Sequence, residues 1–88
     1  MTKRTLLIGM IASLETLLES QGGWAPESYL YLPLSMALGI NLDEWKELLG
    51  FMTAEGFVTQ ENDTVKITDK GRDMSRKFGE ARKVKEVA

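Results

Sequence analysis

The chain has 88 residues, 43% of them hydrophobic, and a net charge of −2, so it has the apolar content of a folded domain but little room for a large core. It contains no cysteine and no histidine, which excludes disulfides and thiolate metal sites and removes the commonest metal ligand and the commonest general base. No apolar run approaches the roughly 20 residues needed to span a bilayer, and the expected location is cytoplasmic.

The whole chain, 1–88, is expected to form one domain. Its first element is a helix over about 2–21, in which Leu7, Met10, Ile11, Leu14, Leu17 and Leu18 recur at spacings of three and four. The start, Met1-Thr2-Lys3-Arg4, superficially resembles a signal peptide. The helical periodicity runs on through Glu15 and Glu19, however, and no small-residue cleavage site follows, so it reads as mature helix. Leu6 and Ile8 widen the apolar face. The helix is therefore expected to pack on two sides, against its own domain and against a second copy in a homodimer. Gly22-Gly23 ends it.

Trp24-Ala25-Pro26 opens the next element, with Pro26 suited to the first turn of a helix. Between Glu27 and Leu38 two readings compete. Tyr29-Leu30-Tyr31-Leu32 is a short strand followed by a helix from Pro33, or one helix covers about 27–38 with a kink at Pro33. The single helix is preferred because Leu30, Leu34 and Leu38 then share a face. Trp24, Tyr29 and Tyr31 either complete a small core or form an aromatic patch, which makes Tyr29 and Tyr31 candidates for contact with a protein.

Gly39 ends that helix and Asn41 caps the next, over about 42–55. Leu42, Trp45, Leu48, Leu49 and Met52 form its apolar face. Opposite them lie Asp43, Glu47, Gly50 and Ala54, either a solvated surface or a protein-binding face on which two small residues let another backbone approach. Gly56 is expected to be left-handed. A hairpin over about 57–67 follows, with its turn at Gln60 to Thr64. Thr68 or Asp69 then caps a last helix over about 70–85. Residues 1–65 carry three basic and nine acidic side chains and residues 66–88 eight basic and four acidic. The basic end is a solvated helix or a contact surface for an anionic partner.

The order helix, helix, helix, hairpin, helix defines a mainly α fold with a small β-hairpin, the winged helix-turn-helix. Leu38-Gly39-Ile40-Asn41, then Gly56-Phe57-Val58, then Ile67-Thr68-Asp69-Lys70-Gly71 resemble the corresponding stretches of MarR-like and PadR-like winged-helix transcriptional regulators. That resemblance implies a dimer that binds operator DNA, the third helix in the major groove and the wing on the backbone. Lys46, Gln60, Asn62, Lys66 and Arg72 are the candidates for DNA contact. Asp43, Glu44 and Glu47 depart from the Ser, Thr, Gln or Arg common there in the family, and the wing turn holds Glu61 and Asp63 without an arginine.

Two functions follow as expectations. One is a dimeric DNA-binding transcriptional regulator. The other is a winged-helix module that binds protein instead, through its acidic helix and aromatic patch. No constellation of catalytic, cofactor-binding or metal-ligating residues is visible. Gly22-Gly23 lacks the lysine and spacing of a phosphate loop, and Asp43, Glu44 and Glu47 have no second acidic cluster beside them.

Overall fold

The computed structural model describes residues 2–87, with side chains described for residues 2–79. Helix α1 spans Lys3–Glu19, and the side chain of Thr2 caps it by accepting the Thr5 amide at 3.1 Å. Ser20 turns to extended backbone while its amide still donates to Thr16 and Leu17, so the helix stops before the expected residue 21. A short 3-10 turn, Gln21–Gly23, leads to strand β1, Trp24–Pro26. Helices α2, Glu27–Leu38, and α3, Leu42–Ala54, follow. Strands β2, Val58–Glu61, and β3, Thr64–Ile67, precede helix α4, Asp69–Val87.

Residues 27–38 form a single helix that runs through Pro33. Leu30 and Leu34 are buried, whereas Pro33 lies on the exposed side. The Tyr29 carbonyl that Pro33 leaves without its helical donor is therefore not sealed inside the core. Gly39 closes the helix in the left-handed region at φ 69°, which redirects the chain into α3 within three residues.

The sheet has three strands, not the two expected, in the antiparallel order β1-β3-β2. Trp24 lies opposite Lys66 and Pro26 opposite Thr64, while Val58 pairs with Ile67 and Glu61 with Thr64. A strand of three residues ending in proline has no alternation to betray it, and proline is tolerated because β1 is an edge strand. The hairpin turn is only Asn62-Asp63, with Asn62 at φ 56°. This is narrower than the span from Gln60 to Thr64, because asparagine takes the left-handed conformation a two-residue turn demands.

The core gathers Met10, Leu14 and Leu17 of α1, Leu30 and Leu34 of α2, Trp45, Leu48, Leu49 and Met52 of α3, and Ala25, Val58, Val65 and Ile67 of the sheet. The second side of α1 is taken by α4 of the same chain, with Leu6, Ala12, Met74 and Phe78 half-buried against the core. Leu6, expected at an interface between copies, thus packs within its own chain. Leu7, on the expected apolar face, and Ile8, expected at the interface between copies, are 45% and 41% exposed. Leu42 was also expected in the core, but it sits at the first position of α3 and is half exposed.

Thr68 explains why the Ile67-Thr68-Asp69-Lys70-Gly71 stretch has its composition. Its hydroxyl lies within hydrogen-bond distance of the Gly56 and Phe57 carbonyls, to which it donates, and it accepts the Gly71 amide at 3.1 Å, capping α4. Lys70 donates to the Glu55 carbonyl at 2.7 Å and lies 5.3 Å from the Phe57 ring centroid. One short segment thereby ties α4 to the end of α3 and the start of β2.

Candidate nucleic-acid interface

Helix α3 is positioned by its start and by its tryptophan. Asn41 and Glu44 form a reciprocal cap: the Asn41 side chain accepts the Glu44 amide at 2.8 Å, and the Asn41 amide donates to the Glu44 carboxylate at 3.1 Å. This cap satisfies two amides at the helix start. Glu44, counted in the sequence among the acids facing a partner, is engaged in the cap. Asp43 and Glu47 are exposed, as is Lys46 between them.

Trp45 is fully buried, and its ring lies 6.2 Å from that of Tyr31 at 47°. Its indole N–H donates to Glu27 at 2.8 Å. The other carboxylate oxygen of Glu27 accepts from the Gln60 side chain at 3.4 Å, and the Glu27 amide donates to the Asp63 carbonyl at 2.7 Å. A single residue at the start of α2 therefore joins α2, α3 and the tip of the hairpin. Sequence reasoning missed it. A buried tryptophan calls for an acceptor, but nothing local identifies which one.

The hub can be tested by substitution. Glu27→Ala is expected to lower the unfolding free energy by about 1–3 kcal/mol, because the buried indole N–H loses its acceptor. Glu27→Gln, whose amide oxygen can still accept, should recover most of that in urea denaturation. Equal losses in the two variants would sink the hydrogen-bond account.

Two depressions flank Lys46. One, of about 410 Å³, is lined by Glu27, Tyr31, Leu42, Trp45 and Asp63 among others. The second, of about 360 Å³, lies between α3 and the hairpin and includes Leu49, Gly50, Gln60, Asn62 and Asp63. Three of the candidate DNA contacts, Lys46, Gln60 and Asn62, thus border one groove, together with Gly50 from the candidate protein interface. A Cβ built on Gly50 meets no atom within 4 Å. Ala54 is exposed further along α3.

Lys66 and Arg72 lie elsewhere. Gln60 and Val65 are register partners, so Lys66, one residue on, points to the opposite face of the sheet, between Trp24 and Thr59. A depression of about 270 Å³ there is bordered by Trp24, Lys66 and Glu61. The half-buried Arg72 packs its guanidinium against Gly23 at the entry to β1. The aromatic residues divide too. Tyr31 is half-buried on Trp45, whereas Trp24 and Tyr29 are 50% and 59% exposed on different elements.

The described surface of α3 and the hairpin is short of cations. Asp43, Glu47, Glu61 and Asp63 are exposed beside only Lys46 and Lys66. Among the described residues no three His, Cys, Asp or Glu side chains converge so as to hold a metal ion, and no helix is long and apolar enough to cross a membrane.

A family model described as winged helix-turn-helix matches residues 33–86, more than half of the chain. The match covers the second half of α2, all of α3, the β2–β3 hairpin and most of α4. No curated protein and no solved structure matches the chain.

Proposed function

The chain belongs to the winged helix-turn-helix family, and from that premise we propose that it is a DNA-binding regulator of transcription. The observation that supports this most directly is the groove between α3 and the hairpin, where Lys46, Gln60 and Asn62 stand together. In this reading α3 enters the major groove and the Asn62-Asp63 tip of the wing reaches the backbone. Gln60 and Asn62 carry donors and acceptors suited to phosphate or base edges, and Lys46 supplies the cation. The likeness of Leu38-Gly39-Ile40-Asn41 and Gly56-Phe57-Val58 to MarR-like and PadR-like regulators points the same way. The role is one of binding, not catalysis.

The electrostatics set the expected behaviour. Each phosphate neutralised by a cation contributes about −0.9 to the slope of log affinity against log salt. With Lys46 as the exposed cation of this groove and Lys66 on the other face of the sheet, a slope near −1 is expected, far shallower than for proteins making six to ten phosphate contacts. Anisotropy titrations of a labelled duplex across a salt series measure it. The double variant Asp43→Ser, Glu47→Ser should bind non-specific duplex roughly tenfold more tightly by removing two repulsive charges. An unchanged affinity would mean that this face of α3 looks away from DNA.

A second reading is favoured by the same carboxylates. If Asp43, Glu47, Glu61 and Asp63 face a basic protein surface, the family scaffold serves as a protein-binding module without DNA contact. No measurable duplex binding by the parent at low salt would favour this reading over the first.

A further inference from the structure

Three acids stand in the first half of α3, and two of them have a use in the fold. Glu44 closes the reciprocal cap with Asn41. Asp43 lies in the first turn, where the positive end of the helix dipole favours a carboxylate. Glu47 lies a turn further on, past the reach of that dipole. It is exposed, and among the described residues no ion pair or side-chain hydrogen bond holds it. Asp43, four residues earlier, carries the same sign, so the two destabilise the helix. The fold gains nothing from an acid at position 47.

Its placement suits a residue that reads a groove. At 100° per residue Glu47 falls with Asp43, Gly50 and Ala54 on the side opposite the buried Trp45, Leu48, Leu49 and Met52. A Cβ on Gly50 meets nothing within 4 Å, and Ala54 adds only a methyl group. Glu47 is therefore the longest side chain of this face, and a surface brought against α3 meets its carboxylate early. Lys46, on the flank towards Gln60 and Asn62, sets a cation beside it that offsets part of the repulsion from phosphates.

The chemistry limits what that carboxylate can meet. Ionised, it only accepts hydrogen bonds. In the major groove the base donors are the amino groups of cytosine and adenine, whereas guanine and thymine offer acceptors. Adenine also sets its N7 acceptor beside the amino group, against the lone pairs of a carboxylate. Cytosine presents its N4 amino group alone. Facing guanine or thymine, the carboxylate would be a desolvated charge without a donor.

We propose that Glu47 is a specificity-determining residue that selects a cytosine in the duplex bound by α3, its carboxylate accepting from the N4 amino group. The inference rests on the DNA-binding reading and adds to it a base that the protein requires. It also gives the acidic helix a use: the carboxylate weakens binding to duplex in general and discriminates between base pairs.

Selection of duplexes from a random pool by the full chain at low salt, followed by sequencing, tests it. The parent should enrich sites with one position fixed as cytosine. Glu47→Ala should lose the preference at that position and keep those elsewhere in the site. Glu47→Gln should move it to adenine, since the glutamine amide can accept from N6 and donate to N7. In anisotropy titrations of the selected duplex, changing that C·G pair to T·A replaces the amino group by an acceptor. This should weaken the parent by about tenfold or more, the scale of a hydrogen bond to a charged group, and Glu47→Ala by less than about twofold. Position 47 is exposed, so circular dichroism should show an unchanged fold in both variants. A selected site that is the same for the parent and Glu47→Ala overturns this inference and leaves DNA binding in place. So does a Glu47→Gln variant that keeps the cytosine. A parent that enriches no sequence and binds no duplex at low salt overturns the DNA-binding reading, and this inference with it.

Discussion

Trp45→Ala is expected to lower the unfolding free energy by about 3–5 kcal/mol, the range for removing a fully buried large aromatic. Small domains are stable by only about 5–15 kcal/mol, so the variant should be largely unfolded or melt tens of degrees below the parent. The loss has three sources. Trp45 is fully buried at the centre of the α3 face, beside Leu48, Leu49 and Met52. Tyr31 loses the ring it packs on. Glu27 loses the indole N–H it accepts at 2.8 Å, which leaves a half-buried carboxylate short of a donor. Trp45→Phe should keep most of the packing and lose the hydrogen bond, falling between the two. A Trp45→Ala variant that melts within a few degrees of the parent would contradict this packing of Trp45.

Gly71→Ala is expected to destabilise by about 3 kcal/mol or more, the upper end of overpacking penalties. A Cβ at this position would overlap the Phe57 carbonyl oxygen and lie 2.8 Å from Ile67 Cγ1. The obstacle is backbone and not a flexible side-chain tip. It is held in place by the Thr68 hydroxyl, which donates to Phe57, and by the Thr68 amide, which donates to the same carbonyl at 3.0 Å. The same substitution at Gly50 should have the opposite sign. That glycine also lies inside a helix, but a Cβ there meets nothing within 4 Å, so alanine should stabilise by up to about 1 kcal/mol through helix propensity alone. Urea denaturation of the two variants side by side decides the matter. If Gly71→Ala proved neutral, the close approach of α4 to the start of β2 would be wrong.

The pair of glycines also shows how far this chain can be read without its structure. Both sit in helices and look alike in the sequence. One is a contact that tolerates no side chain and the other faces open space, and the difference lies in which backbone passes nearby. The DNA-contact candidates divide in the same way. Lys46, Gln60 and Asn62 come together because α3 and the hairpin lie side by side. Lys66 is excluded by the two-residue alternation of β3, once the register is known. Arg72 is turned onto Gly23 by the start of α4.

What could be read from the residues in order was local. The periodicity of Met10, Leu14 and Leu17, the Asn41 cap, the left-handed Gly56, the apolar face around Trp45 and the β-prone runs about Asn62-Asp63 all act within a few residues, so each leaves its mark on the chain itself. The third strand, the Glu27 hub and the closure of α1 by α4 required the folded chain. β1 pairs with residues far along the sequence, and Glu27 finds Trp45 and Gln60 only after two turns of chain have closed. Such pairings depend on the packing of whole elements against one another. A side chain's type records that it needs a partner, and only tertiary packing selects which partner it meets.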